Sequence, residues 1–298
     1  MHLIFSRPII LWTVFALFFS VSTAANSQNS AGNSQNGTAA TLVSGRAIQG
    51  GLMIFKTDPA NKVTLDETAL PVSPKGRFVI GFHRDDTQAQ TLSITSPQGG
   101  VSQLTLTPQT RQWNIQRIDN LPTNMVTPPA DVIARIKTDI KNVKAARATL
   151  SDFEDVLENG FIWPVWGRIS GIYGSQRILN GKPRQPHYGI DVAAPAGVAV
   201  RAAAAGQVTM AIDLYFTGGT IIIDHGYGLN STYSHLHDML VKTGDVVARG
   251  AVIGSVGSTG RSTGPHLDWR INWQNKRLDP LLITGPLLPA TPASRPER

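Results

Sequence analysis

No cysteine occurs anywhere in the 298 residues. This excludes disulfide staples, a thiolate metal site, a cysteine nucleophile and the lipid-bearing cysteine of a lipoprotein. There is no run of lysine and arginine, no basic stripe interleaved with aromatics and no nucleic-acid motif, so nucleic acid is not an expected partner. Acidic residues are the scarcer charge, 20 against 27 basic, giving a net charge of +7 and a pI near 9.9; the anionic partner this suggests is an envelope surface. Long apolar runs are missing as well. Ile9 to Phe19 is the longest, and it is too short for a membrane span. With Arg7 before it and the small residues Ser22-Thr23-Ala24 or Thr23-Ala24-Ala25 after it, this run reads as a secretory signal over residues 1–25, with an uncleaved anchor as the rival reading. Both place the rest of the chain outside the cytoplasm, periplasmic or secreted, with no membrane span after signal cleavage.

What is present in quantity is turn chemistry. The 28 glycines and 19 prolines, with 41% hydrophobic residues, suit a mainly β chain of two domains. Residues 26–40 are Asn/Ser/Gln/Gly-rich and read as a disordered spacer. Residues 41–120 carry β-branched and aromatic runs, such as Arg77 to Phe82, Thr91 to Thr95 and Val101 to Leu106, broken by turn residues; this is a small β-sandwich. His83, alone beside Arg84-Asp85-Asp86, reads as a surface residue. Residues 127–159 read as one long connecting helix. Thr127 is its cap, Pro128 and Pro129 fit its first turn, and Gly160 follows its end. Val132, Ile136, Ile140, Val143, Leu150, Phe153 and Leu157 form its apolar stripe, and Lys137, Lys141, Lys144 and Arg147 its solvent face. Residues 161–285 form a second β domain, opened by Trp163 and Trp166 as packing residues, and 286–298 a disordered Pro-rich tail.

Four of the seven histidines fall in three short pieces of that second domain: Pro186-His187-Tyr188-Gly189-Ile190-Asp191, Tyr233-Ser234-His235-Leu236-His237 and Thr263-Gly264-Pro265-His266-Leu267-Asp268-Trp269. Imidazole and carboxylate are both ligands for zinc or another borderline metal. In a strand, residues two apart share a face, so His266 and Asp268 project together while Leu267 and Trp269 point to the core. Arg270 shares the face of Asp268 and is placed to pair with it and draw it off a metal, with a surface strand arginine as the alternative. Tyr233 reads as packing and His225 as structural. His237 reads as an exposed turn residue, with a replacement ligand as the alternative.

These pieces, with the Gly260-Arg261-Ser262-Thr263-Gly264 approach to the last of them, resemble the lysostaphin/LytM-type zinc endopeptidase family. The resemblance covers about Phe161 to Pro280. It implies a C-terminal antiparallel β-sheet domain of the lysostaphin type, related to the lipoyl-barrel-like hybrid motif. It also implies a Zn2+ cofactor, His187 and Asp191 as ligands, and His235 and His266 as metal-free catalytic histidines. The family's third ligand is the second histidine of His-x-His; here that position is Asp268. Aspartate is a legitimate zinc ligand, but two carboxylates and one imidazole cancel the ion's charge and weaken it as a Lewis acid. The implied activity is hydrolysis of peptidoglycan cross-links, D-alanyl to diaminopimelate in a Gram-negative periplasm. The alternative is a metal-free regulator of other wall hydrolases, with helix 127–159 contacting a divisome or other envelope protein. A biotinyl/lipoyl carrier is disfavoured, because no lysine lies on a suitable hairpin tip.

Overall fold

The computed structural model describes residues 39–119 and 130–287. The expected signal, most of the spacer, the start of the connecting helix with Thr127, Pro128 and Pro129, and nearly all of the tail lie outside these residues. Among the described residues no helix is long and apolar enough to cross a membrane.

The chain is mainly β. Its first part comprises β1 (Thr41–Gly45), β2 (Leu52–Lys56), β3 (Lys62–Leu65), β4 (Thr68–Leu70), β5 (Arg77–Gly81), β6 (Gln90–Thr95) and β7 (Val101–Leu106). These form two antiparallel sheets, ordered β1-β2-β5 and β4-β3-β6-β7. Phe55 and Phe78 stack at 5.3 Å on the inner faces, and both are buried. Then β8 (Ile115–Ile118) leaves the sandwich. It pairs in parallel with β10 (Gln176–Leu179) of the second part.

Between the two parts the structure corrects the single helix read from periodicity. A 3-10 turn (Ala130–Val132) leads into α1 (Ile133–Arg147), and a separate short helix, α2 (Asp155–Asn159), follows. The break falls on Thr149, Ser151 and Asp152, whose side chains compete for backbone bonds. The Ser151 carbonyl accepts from the Tyr227 amide at 3.0 Å instead of continuing a helix. The expected stripe is docked only in part: Val143 packs on the same cluster as Ala146, and Leu157 is buried in α2. Ile140 and Leu150 are exposed, and α1 is seated through Ala146, which packs on Met210, Leu214 and Ile222. Asp139 adds a carboxylate that accepts from the Tyr215 amide at 2.8 Å.

The second part contributes β9 (Arg168–Gly171), β10, β11 (Lys182–Pro183), β12 (Ile190–Ala193), β13 (Ala199–Arg201), β14 (Gly206–Leu214), β15 (Gly218–Asp224), β16 (Leu229–Leu236), β17 (Val246–Val247), β18 (Val252–Ser255), β19 (His266–Trp273), β20 (Lys276–Leu278) and helix α3 (Pro280–Thr284). One large sheet runs β17-β14-β15-β16-β19-β12-β9, with β20 beside β19. Its two faces differ. Leu267, Trp269, Ile271, Tyr233, Ile221 and Ile223 alternate onto one face and are fully buried, each worth on the order of 2 to 3 kcal/mol of apolar burial. Trp163 lies against Trp269 at 5.5 Å, as expected of packing; Trp166, by contrast, is exposed. On the other face, register aligns Arg270 with Thr232, Thr232 with Ile222, and Ile222 with Met210. Ala146 packs on the last two, so α1 lies across the face that carries His266 and Asp268.

The sandwich and the second part share one continuous core. Ion pairs close its rim, Lys276 to Asp86 at 2.9 Å and Arg111 to Asp279 at 2.8 Å. His83 is not a free surface residue: its ring meets Tyr188 at 5.3 Å across this junction.

Candidate metal centre

Neighbouring strands bring the cluster together. Asp191 on β12 and Asp268 on β19 are direct cross-strand partners, and His187 stands in the turn leading into β12. Backbone bonds fix that turn: the His187 amide donates to Ser175 and its carbonyl accepts from Gly174, both at 2.8 Å. Ligand atoms of His187, Asp191 and Asp268 lie within 4.8 Å of one another. His187 Nε2 is 3.2 Å from Asp191 Oδ1, yet it is buried without a hydrogen-bond partner. Two ligands held at zinc distances and a tetrahedral angle sit about 3.3 Å apart, so an orphaned imidazole nitrogen at that spacing from a carboxylate fits a shared ion.

Both carboxylates lie over glycine. A Cβ on Gly171 would stand 2.1 Å from Asp191 Oδ2, and one on Gly189 would stand 2.9 Å from Asp268 Oδ1. The cluster therefore requires glycine at two positions that the sequence reading did not single out. Gly189, inside the His-x-x-x-Asp piece, was the findable one; Gly171 carries no local signal.

Asp268 is 3% exposed and held by Arg270. Arg270 Nε donates to Asp268 Oδ1 at 2.9 Å and to Oδ2 at 3.1 Å, and Nη2 donates to Oδ2. The pairing anticipated from their two-residue spacing is thus formed, while the carboxylate stays within the ligand cluster. Burial alone would raise the Asp268 carboxyl, but the charge and hydrogen bonds of Arg270 hold it well below the usual carboxylate range. Burial likewise opposes charging of His187, and the Asp191 and Asp268 carboxylates outweigh it, so its pKa is raised.

His235 and His266 stand together beside the cluster, ring centroids 4.7 Å apart. His235 Nδ1 lies 2.8 Å from the Thr259 carbonyl, and His266 Nδ1 lies 2.8 Å from the Gly264 carbonyl. A carbonyl only accepts, so each Nδ1 carries the proton and each Nε2 is left with a lone pair. His266 Nε2 reaches to 3.9 Å from Asp191 Oδ1. Burial pushes the His235 pKa down, keeping its imidazole neutral. His235 adopts a left-handed backbone (φ 63°) at the end of β16, a strain of about 1 to 2 kcal/mol of the kind that gathers at functional sites. The same kink ends the two-residue alternation, so His237 leaves the shared face. Its side chain is 66% exposed, beside Asp238, and it does not join the cluster. His225 is buried between the Ala205 carbonyl and Ser231 Oγ, and Tyr233 Oη accepts from the Ala203 amide; both are structural.

A cleft of about 700 Å3 opens onto His187 and Asp191. It is also lined by Asn114, Ile115 and Gln116, on and just before β8, and by their strand neighbours Gln176 and Arg177 of β10. A strand reached from the sandwich thus forms part of the groove. Arg147, assigned by periodicity to the solvent face of the helix, is instead half-buried on the site face, its Nη2 donating to Thr232 Oγ1 at 3.2 Å. Burial, then Arg277 and Arg270, push its pKa well below the ordinary arginine range, and burial with Arg270 lowers Arg277 to about 10. Because arginine keeps its proton, both guanidiniums stay charged in these buried surroundings.

Residues 185–280 match Peptidase family M23. The chain is 37% identical over 131 residues to the DD-carboxypeptidase/endopeptidase Mpg of Neisseria meningitidis, 44% of this chain and 30% of that protein. It is 34% identical over 126 residues to the peptidoglycan DD-endopeptidase ShyA of Vibrio cholerae, 42% of this chain and 29% of that protein. The chain thus spans under a third of the length of these curated relatives. Among solved structures, a putative peptidase M23 from Pseudomonas aeruginosa superposes with a TM-score of 0.61 at 27% identity, covering 80% of this chain and 94% of that one. That likeness reaches well beyond the family-matched residues.

Proposed function

From the premise that residues 185–280 belong to peptidase family M23, we propose that the protein is a zinc-dependent endopeptidase that hydrolyses peptide cross-links of bacterial peptidoglycan outside the cytoplasm. The observation that carries this reading is the convergence of ligand atoms of His187, Asp191 and Asp268 within 4.8 Å, with the His235 and His266 rings together beside them. The endopeptidase names of the relatives, which the chain matches over this part, support the substrate class.

His187 Nε2 and one oxygen each of Asp191 and Asp268 would hold the ion. Zinc, when bound there, supplies a Lewis acid and makes water a nucleophile at neutral pH. The rest is the work of the protein. His235 and His266 present Nε2 lone pairs beside the cluster, so either can take the proton of the attacking water; once protonated, it can donate to the carbonyl oxygen as charge develops. Their Nδ1 bonds to fixed carbonyls hold both rings in that tautomer through the cycle. Arg270 answers the charge problem posed by two carboxylate ligands. Its guanidinium offsets one of them, so the Asp268–Arg270 pair presents to a metal about the net charge of a histidine. The bond cut would be D-alanyl to diaminopimelate, in keeping with the DD-specific names of the relatives.

The test is hydrolysis of purified cross-linked muropeptides with and without chelator, products identified by mass. Chelator-sensitive conversion of dimers to monomers supports the reading, and absence of turnover with added zinc defeats it. One observation favours a second reading: Asp268 is already satisfied by Arg270, as a metal-free regulator of other wall hydrolases would keep it. That reading expects no turnover and no zinc uptake.

A further inference from the structure

A charge withdrawn from water is normally matched by an opposite charge or by a full set of hydrogen bonds. Three arginines meet on the site face of the large sheet, and two of them lack such a match. Arg270 on β19 is opposite Thr232, whose Oγ1 accepts from Arg147 at the end of α1. Arg277 on β20 is opposite Asn272 and donates to its Oδ1 at 2.7 Å. Arg270 is matched by Asp268. Among the described residues, neither Arg147 nor Arg277 forms an ion pair, and Arg147 Nε is buried with no hydrogen-bond partner. Arg147, through Thr232, and Arg277, through Asn272, thus flank Arg270, and Asp268 already accepts three bonds from Arg270.

We propose that Arg147, Arg270 and Arg277 form a carboxylate-binding subsite, which seats a free carboxylate of the peptide substrate beside the metal cluster. The inference rests on the peptidase reading and deepens it. A guanidinium fork matches the planar, two-oxygen geometry of a carboxylate, and the peptides of the wall present their negative charge as carboxylates. The position follows from register: along β19, Asp268 of the cluster and Arg270 of the subsite are two residues apart on one face. The subsite also gives α1 a role in recognition. Arg147 lies outside residues 185–280, so the helix, seated through Ala146 and Asp139, completes a site that the peptidase domain alone leaves open.

The experiment uses the full chain and paired probes: a cross-linked muropeptide with free diaminopimelate carboxylates, and its amidated counterpart. Turnover is measured for both. Binding of the corresponding uncross-linked stem peptides, acid and amide, to the metal-free protein is measured by calorimetry. The acid is expected to be preferred about ten- to hundredfold, mainly through KM, the range of charge-assisted hydrogen bonds. Arg147→Met and Arg277→Met, each checked for native near-UV circular dichroism, should each collapse that ratio toward one, and Arg147→Lys should keep part of it. Equal binding of acid and amide by the unaltered protein overturns the subsite without need of any variant. So does a rise in turnover of both substrates on Arg147→Met, which would make Arg147 a strut holding α1 over the cleft. If neither substrate is cut, the peptidase reading fails, while the calorimetric ratio still decides the subsite.

Discussion

Replacing Arg270 by methionine separates the two forces acting on Asp268. The carboxylate is 3% exposed and accepts three bonds from the guanidinium. Removing one partner of a buried ion pair costs about 3 to 5 kcal/mol, because the other charge stays buried. Here the lower end applies, since His187 can take a proton and Arg147, bonded to Thr232 on the neighbouring strand, has a free Nε. The loss expected in chelator is therefore about 3 kcal/mol, read as a lower urea midpoint at unchanged slope. Zinc should then behave differently in the two proteins. In the natural chain an ion must share Asp268 with Arg270 and suffers its repulsion; in Arg270→Met the ion becomes the missing counter-charge. Zinc should bind the variant more tightly, and each tenfold gain in affinity adds about 1.4 kcal/mol to the zinc-induced stabilisation at saturating metal. Two results would refute this reasoning. A loss below about 1 kcal/mol in chelator would mean that the pair is solvated rather than buried. A weaker zinc response in the variant would mean that Arg270 acts by orienting Asp268, with charge secondary.

Three further outcomes follow from the same geometry. Gly171→Ala places a Cβ 2.1 Å from Asp191 Oδ2. It should weaken zinc binding about ten- to hundredfold with the fold retained, as measured by competition with a chromophoric chelator. Asp268→His should destabilise the chain by stranding Arg270, and adding Arg270→Met should recover part of the loss; a coupling energy under about 0.5 kcal/mol in that double-mutant cycle would sever the proposed link. His225 is buried and neutral, its pKa lowered from 6.5 to about 4. Unfolding therefore takes up a proton between those values, so its contribution of about 3 kcal/mol is fully present above 6.5 and lost as pH falls toward 4. His225→Asn should flatten that limb of the stability–pH curve.

The strands were readable because their signal is local. His266 to Trp273 alternates polar and apolar without interruption, and a two-residue period fixes which side chains share a face; β19 spans those same residues, and Leu267, Trp269 and Ile271 are fully buried. The candidate metal cluster came from the same logic, since each of its three pieces is short and bounded by turns. His237, expected as an exposed turn residue beside Asp238, is one. Only the left-handed backbone at His235 breaks the alternation, and nothing in Ser234-His235-Leu236 announces it.

The helix failed for a different reason. An apolar stripe tells which face a helix would bury if burial were set by hydrophobicity alone, but of that stripe α1 docks Val143, beside the small Ala146. Ala146 lets the helix approach the sheet closely over Met210 and Ile222. Once that contact sets the rotation, Ile140 is turned to solvent and Arg147, one residue after Ala146, is turned toward Thr232. The residue that periodicity assigned to water thus becomes the one that reaches the site. Asp268 and Arg270 make the complementary case. Their identities and spacing were visible, yet whether Arg270 removes Asp268 from a metal or tunes it is a matter of lone pairs. A carboxylate has about four acceptor positions; Arg270 uses three, and the remaining one, on the oxygen bound only by Nε, is what a metal would take. The departure from the family's histidine is therefore compatible with a ligand held in place by its neighbour, and the zinc response of Arg270→Met measures which of the two the pair has become.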